Sequence, residues 1–113
     1  MSLLSMLFGG GYPTNDSIKL LTPEEFKVQI ANKKIQLIDV RTSREFSWSH
    51  IKGAKNIDFY SGQFATEFNK LNKNKPVYVY CRTGSRSRHA SNKLAKMGFT
   101  EIYDLKGGFV RLN

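Results

Sequence analysis

The run Cys81-Arg82-Thr83-Gly84-Ser85-Arg86-Ser87-Arg88 concentrates the reactive chemistry of this chain, and it opens on the only cysteine among 113 residues. Sulfur nucleophiles act as thiolates, and a thiolate needs donors or cations close to it. Three arginines, three hydroxyl residues and one glycine follow the thiol within seven positions. Gly84 lets the loop curl without a Cβ clash, and the small hydroxyls of Thr83, Ser85 and Ser87 fit inside such a curl. The same donors suit an oxyanion held beside the sulfur, because an arginine can grip two oxygens of a sulfonate or phosphate at once. These residue types point to a small anion that Cys81 attacks or that donates to it. A lone cysteine is more often a small buried hydrophobe. The polar, basic and glycine-containing surroundings of Cys81 argue for an unburied, reactive thiol instead.

The flanking segments place that thiol. Pro76-Val77-Tyr78-Val79-Tyr80 reads as a strand and His89 to Met97 as a helix. A reactive group at the C-terminal end of a strand and the mouth of a helix meets free amides and the positive end of the helix dipole.

The remaining elements alternate in the same way. Ile18-Lys19-Leu20-Leu21 is a short strand, and Thr22-Pro23-Glu24-Glu25 starts a helix with a cap, a proline at the first position and a capping box. Phe26, Val28 and Ile30 are its expected apolar contacts. Ile35 to Val40 reads as a buried strand. Thr42 or Ser43 caps a short helix through Trp48, with Phe46 and Trp48 as packing residues. Ala54 to Ile57 is a third strand, and Phe64, Phe68 and Leu71 lie at helical spacing in a helix from Gln63 to Leu71. After Val77 to Tyr80 comes a helix from Arg86 to Met97, which Gly98 ends. Ile102-Tyr103-Asp104-Leu105 is the last strand. Strands separated by helices imply a mostly parallel sheet with helices on both faces.

Composition sets the outer bounds. The length suits one domain, preceded by an apolar N-terminal arm and Gly-rich turn over residues 1–17, with the domain itself over 18–113. The arm has no basic start and no cleavage site, and is far too short to span a bilayer. A single cysteine excludes an internal disulfide and suggests a reducing, cytoplasmic setting, and His50 and His89 are the only histidines that could join it on a metal. The net charge of +9 comes largely from scattered lysines rather than one block, so a solvated surface explains much of it. No nucleic-acid-binding signature, transmembrane segment, metal site or cofactor motif is evident.

Three stretches in order resemble a single-domain rhodanese, a sulfurtransferase. The first is Leu37-Ile38-Asp39-Val40-Arg41, continued by Glu45-Phe46 and His50-Ile51-Lys52-Gly53-Ala54-Lys55-Asn56-Ile57. The second is Val77 through Ser87, and the third is Gly98-Phe99 followed by Leu105-Lys106-Gly107-Gly108-Phe109. The resemblance covers roughly residues 18 to 110. It implies a rhodanese-like α/β fold, a five-stranded parallel sheet flanked by helices on both faces. It also implies a persulfide cycle in which Cys81 takes a sulfane sulfur from a thiosulfate-like anion and hands it to cyanide, a cellular thiol or a sulfur-acceptor protein. Mapped residue by residue, Cys81 is the nucleophile and Arg82, Thr83, Gly84, Ser85, Arg86 and Ser87 form the substrate cradle. Arg82 and Arg86 are its donor-binding cations, and Asp39 and Arg41 brace the loop. His50 steadies a turn, and Lys106 lines the cleft. No cofactor is implied.

Departures from the family pattern are Ser49, Lys52 and Phe109, which stand where Gly, Pro and Trp are common. The short stretch after Phe109 implies a wide entrance. A cysteine phosphatase or arsenate reductase is the nearest enzymatic alternative, but their loop carries its arginine at the position that Ser87 occupies here. A docking module without turnover, or a persulfide relay to a partner protein, is the alternative of a different class.

Overall fold

Val77–Tyr80 (β4) is the middle strand of a five-stranded sheet and is buried along its whole length. The computed structural model describes residues 15–32 and 34–112. In chain order the other strands are Ile18–Leu21 (β1), Gln36–Asp39 (β2), Lys55–Asn56 (β3) and Ile102–Leu105 (β5). The spatial order is β1-β5-β4-β2-β3, and all neighbouring pairs run parallel. Helices Pro23–Ile30 (α1), Ser43–Trp48 (α2), Phe64–Phe68 (α3) and Ser85–Lys96 (α4) supply the crossovers, and a 3-10 turn, Phe109–Arg111, follows β5.

Two cores follow from the period of two along each strand. Val77 and Val79, with Cys81 continuing the alternation, face Phe64, Phe68, Ala90 and Leu94 of α3 and α4. Tyr78 and Tyr80 face the other way, toward Phe26, Leu21, Leu37 and Leu105. Both sheet faces are therefore covered, as the expected architecture required. The position of β4 matters for chemistry, because its C-terminal end lies between β5 and β2 at the point where the strand order reverses direction. Loops leaving there diverge and open a crevice.

Local signals set the helix starts. Thr22 and Thr42 each cap a helix and complete a capping box, with Glu25 and Glu45 respectively. Some expectations need correction. Val28 is 75% exposed. Residues two apart on a helix point to different sides, so Phe26 and Ile30 share a face that Val28 leaves. Trp48 is not a packing residue either, being 76% exposed. The helix expected over Gln63 to Leu71 spans Phe64–Phe68, because Lys70 and Leu71 bond back three residues, to Glu67 and Phe68, and tighten its last turn. The third strand shrinks to two residues, and α4 starts one residue earlier than expected because Gly84 stands at its N-cap.

The apolar N-terminal arm lies outside the described residues, apart from the turn at 15–17 that leads into β1. Among the described residues, no helix is long and apolar enough to cross a membrane.

Candidate active site

The cysteine loop wraps its own sulfur. Cys81 Sγ accepts hydrogen bonds from the backbone amides of Gly84 at 3.1 Å and Ser87 at 3.3 Å. The thiol donates to Ser87 Oγ at 3.5 Å, and that hydroxyl donates to the Gly84 carbonyl at 3.3 Å. Ser87 is fully buried, and its own carbonyl accepts from Ser91 Oγ at 2.8 Å, so the inner wall of the loop is tied to α4. Gly84 makes the curl with φ 108° and ψ −16°, a conformation that side chains rarely adopt. The sulfur consequently sits over the N-terminus of a twelve-residue helix.

One expectation about the thiol is overturned. Cys81 is 1% exposed and packs with the apolar side chains of the α3–α4 face. Burial and polarity coexist because the loop delivers its donors as backbone amides and keeps its charged side chains outside. Arg82, Thr83, Ser85 and Arg88 are exposed, whereas Arg86 is half-buried.

The turn after β5 holds the loop from the other side. Phe109 N donates to the Cys81 carbonyl at 2.8 Å, and Val110 N donates to the Arg82 carbonyl at 3.2 Å. Gly108, at φ 77°, passes so close that a Cβ there would lie 2.2 Å from the Arg82 carbonyl oxygen and 2.6 Å from the Thr83 nitrogen. Only glycine fits this crossing. The sequence shows Gly107-Gly108 as a pair, but the contact that requires the second member is visible only in three dimensions.

Arg86 does not stand free beside the sulfur. Its Nη1 and Nη2 donate to the two carboxylate oxygens of Glu45 at 2.6 and 3.0 Å. The Arg86 hydrogen bond is the main reason that the Glu45 pKa falls to about 2, and the Thr42 cap and the nearby Arg86 charge add to it. Arg86 is pushed up in turn, first by its bond to Glu45 and also by attraction to Cys81. In the sequence Glu45 stood out only within the Glu45-Phe46 stretch of the family resemblance, and nothing in its spacing revealed a partner 41 residues away.

Asp39 and Arg41 form a second, deeper pair. Arg41 Nη2 donates to Asp39 Oδ2 at 2.7 Å, and both residues are buried. Burial works against the Arg41 charge, but the hydrogen bond and attraction of Asp39 outweigh it and raise the guanidinium pKa. Asn56 Nδ2 donates to the carbonyls of Asp39 and Arg41 at 3.0 and 2.9 Å. The pair does not touch the sulfur. Its link to the loop runs through Phe109, whose ring centroid lies 4.6 Å from the Arg41 guanidinium carbon. Tyr80, buried behind the loop, accepts from Ile51 N at 3.1 Å, and burial pushes its hydroxyl above the ordinary tyrosine range.

Two recesses flank the loop. One of about 390 Å³ is lined by Thr83, Ser85, Arg88 and Lys106, among others. The other, of about 210 Å³, is lined by Trp48, Phe109, Val110, Arg82 and Glu45, among others. His50 lies outside both; its Nδ1 is 2.7 Å from the Phe46 carbonyl and its ring stacks on Phe46.

Comparison with known proteins agrees with this geometry. Residues 22–113 match the model of the rhodanese-like domain. The chain is 48% identical over 92 residues to the uncharacterized protein YqhL of Bacillus subtilis, covering 81% of this chain and 70% of that one. It is 30% identical over 95 residues to the thiosulfate sulfurtransferase GlpE of Pseudomonas aeruginosa, covering 84% of each. It is 31% identical over 101 residues to the tRNA uridine(34) hydroxylase of Aster yellows witches'-broom phytoplasma, covering 86% of this chain but only 33% of the hydroxylase. Among solved structures, a rhodanese-like domain protein from Staphylococcus aureus superposes with a TM-score of 0.74 at 29% identity, covering 84% of this chain and 91% of that one. The fold, the position of the cysteine loop and the match over residues 22–113 lead to one conclusion: this chain belongs to the rhodanese-like domain family.

Proposed function

We propose that the protein is a sulfurtransferase that moves a sulfane sulfur from a thiosulfate-like anion through a persulfide on Cys81 to cyanide or a cellular thiol. The observation that carries this reading is the convergence of the Gly84 and Ser87 amides on Cys81 Sγ, at 3.1 and 3.3 Å. A hydrogen bond to an ionised group contributes about 1.5–3 kcal/mol. Two of them, over a helix N-terminus, offset much of the penalty of holding an anionic sulfur in a buried site.

In the first half-reaction the Cys81 thiolate attacks the outer sulfur of thiosulfate. A new S–S bond forms on Cys81, the S–S bond of the donor breaks, and sulfite leaves with the electron pair. In the second, cyanide attacks the outer persulfide sulfur, a C–S bond forms, and the Cys81 thiolate returns as thiocyanate departs. Neither half needs an external oxidant or reductant.

Each loop residue has a part. The amides of Gly84 and Ser87 carry negative charge on sulfur, and Arg82, exposed at the rim, meets the donor's oxygens. Thr83 and Ser85 add hydroxyl donors there. Arg86 divides its charge between Glu45 and the site, so it orders the loop more than it grips the donor. Asp39 and Arg41 position the turn that braces the loop. The donors converge on the sulfur atom itself, which favours a persulfide over a phosphate as the group held. Thiocyanate release from thiosulfate and cyanide, abolished by Cys81→Ser, tests the proposal; the absence of turnover in the intact protein sinks it.

A further inference from the structure

We infer that the surface around the cysteine loop docks an acidic, thiol-bearing polypeptide, with an apolar side chain in the Trp48–Val110 recess and carboxylates against Arg88 and Lys106. This deepens the sulfur-transfer reading of Cys81 and rests on it, since it names the class of acceptor.

Three observations carry the inference. The first is an exposed aromatic and apolar surface beside the loop. Trp48 is 76% exposed and Val110 is 46% exposed, and both line the smaller recess next to Arg82. The Arg44 guanidinium lies 5.6 Å from the Trp48 ring, which presents a cation and an aromatic face together. Exposed tryptophan and arginine beside a pocket are the composition of an interface anchor.

The second observation is charge. Arg44, Arg82, Arg88, Lys106 and Arg111 are all exposed at this end of the sheet. Among the described residues none of the five forms an ion pair, although Asp39, Glu45 and Glu67 all do. Acidic groups at the same end are fewer and mostly withdrawn: Asp39 and Glu45 are held by Arg41 and Arg86, Asp104 lines the larger recess but is 1% exposed, and Glu24 lines a neighbouring recess with Lys106 and Arg111. Such a field attracts an acidic partner and speeds its encounter.

The third is the arrangement of the two recesses. Arg82 borders the apolar one and Thr83, the next residue, borders the cationic one, so the loop over Cys81 is the ridge between them. A chain crossing that ridge places its own thiol above the buried sulfur. Trp48, Phe109 and Val110 give the smaller recess an apolar wall that suits a polypeptide side chain.

The transfer balances without another reagent. The partner's thiol gives its proton to solvent, and its thiolate attacks the outer persulfide sulfur. A new S–S bond forms on the partner, the Cys81 S–S bond breaks, and Cys81 returns as thiolate.

Trp48 is the only tryptophan of the chain, so its emission reports the recess directly. The docking test uses the Cys81→Ser protein and a short synthetic peptide of glutamates around a central Leu-Ser, which removes sulfur chemistry from the measurement. The peptide should shift Trp48 emission saturably, bind more weakly as salt rises, and lose about tenfold or more in affinity with Arg88→Glu and Lys106→Glu combined. Its lysine counterpart should not bind. In a second arm, the wild-type protein loaded with sulfur is discharged by the Leu-Cys form of the peptide or by cyanide; Trp48→Ser should lower the ratio of the two rates. Four results overturn the inference: no saturable shift with the acidic peptide, equal binding of both peptides, indifference to the double charge reversal, or a shift with a single-stranded oligonucleotide in place of the acidic peptide. Failure of Cys81 to take up sulfur, with peptide binding intact, would instead overturn the catalytic reading alone.

Discussion

Both carboxylate oxygens of Glu45 are engaged by Arg86, at 2.6 and 3.0 Å, and this fork joins the start of α4 to the start of α2 across the cysteine loop. The Glu45 pKa is held at about 2, so its contribution to stability is fully present above the ordinary carboxylate pKa near 4.5 and is lost as pH falls from there toward 2. Glu45→Gln should lower stability by about 1–2 kcal/mol at neutral pH and flatten the acid limb of the unfolding curve. Urea melts between pH 2 and 7 measure both. An unchanged acid limb would mean that the pair contributes nothing.

The same fork separates the roles of the two arginines. Arg82→Ala should raise the KM for thiosulfate about threefold to tenfold with kcat nearly unchanged, because Arg82 is exposed and has no ion-pair partner among the described residues. Arg86→Ala should lower kcat and the melting temperature together, as the loop loses its anchor. Steady-state kinetics beside thermal melts decide; the reverse pattern would return donor binding to Arg86.

Gly108 makes the sharpest steric statement. A methyl group at this position meets the Arg82 carbonyl at 2.2 Å, against backbone that cannot step aside. Gly108→Ala should cost about 2–4 kcal/mol and displace the loop that carries Cys81. Denaturant unfolding gives the stability, and turnover of the fraction that remains folded gives the loop. A neutral substitution would show that the turn after β5 does not clamp the loop.

Burial of Cys81 at 1% exposure predicts selective access. A bulky aromatic disulfide reagent should react with the native thiol at least about tenfold more slowly than with the denatured chain. Thiosulfate, small and anionic, should load the native protein freely. Equal rates of labelling before and after denaturation would show that the loop opens readily.

The elements of the fold were legible because their local signals are strong. Thr22 and Thr42 announced two helices, and the alternation through Val77 to Tyr80 announced the central strand. Element ends were less legible, since the tightened turn after Phe68 depends on bonds that composition does not reveal. The thiol at the end of the central strand and the loop that follows it could be read from residue type and order. Its burial could not, because polar side chains mark a loop as wet while the atoms that enclose the sulfur belong to the backbone. Glu45 and Gly108 escaped for a related reason: the partner of each comes from a different crossover.

The most direct measurement is the intact mass of the protein after incubation with thiosulfate and after subsequent discharge by cyanide. The account predicts a gain of one sulfur atom, located on Cys81, fully removed by cyanide and absent in Cys81→Ser. A wild-type protein whose mass does not change, although its cysteine is reduced and folded, would contradict it.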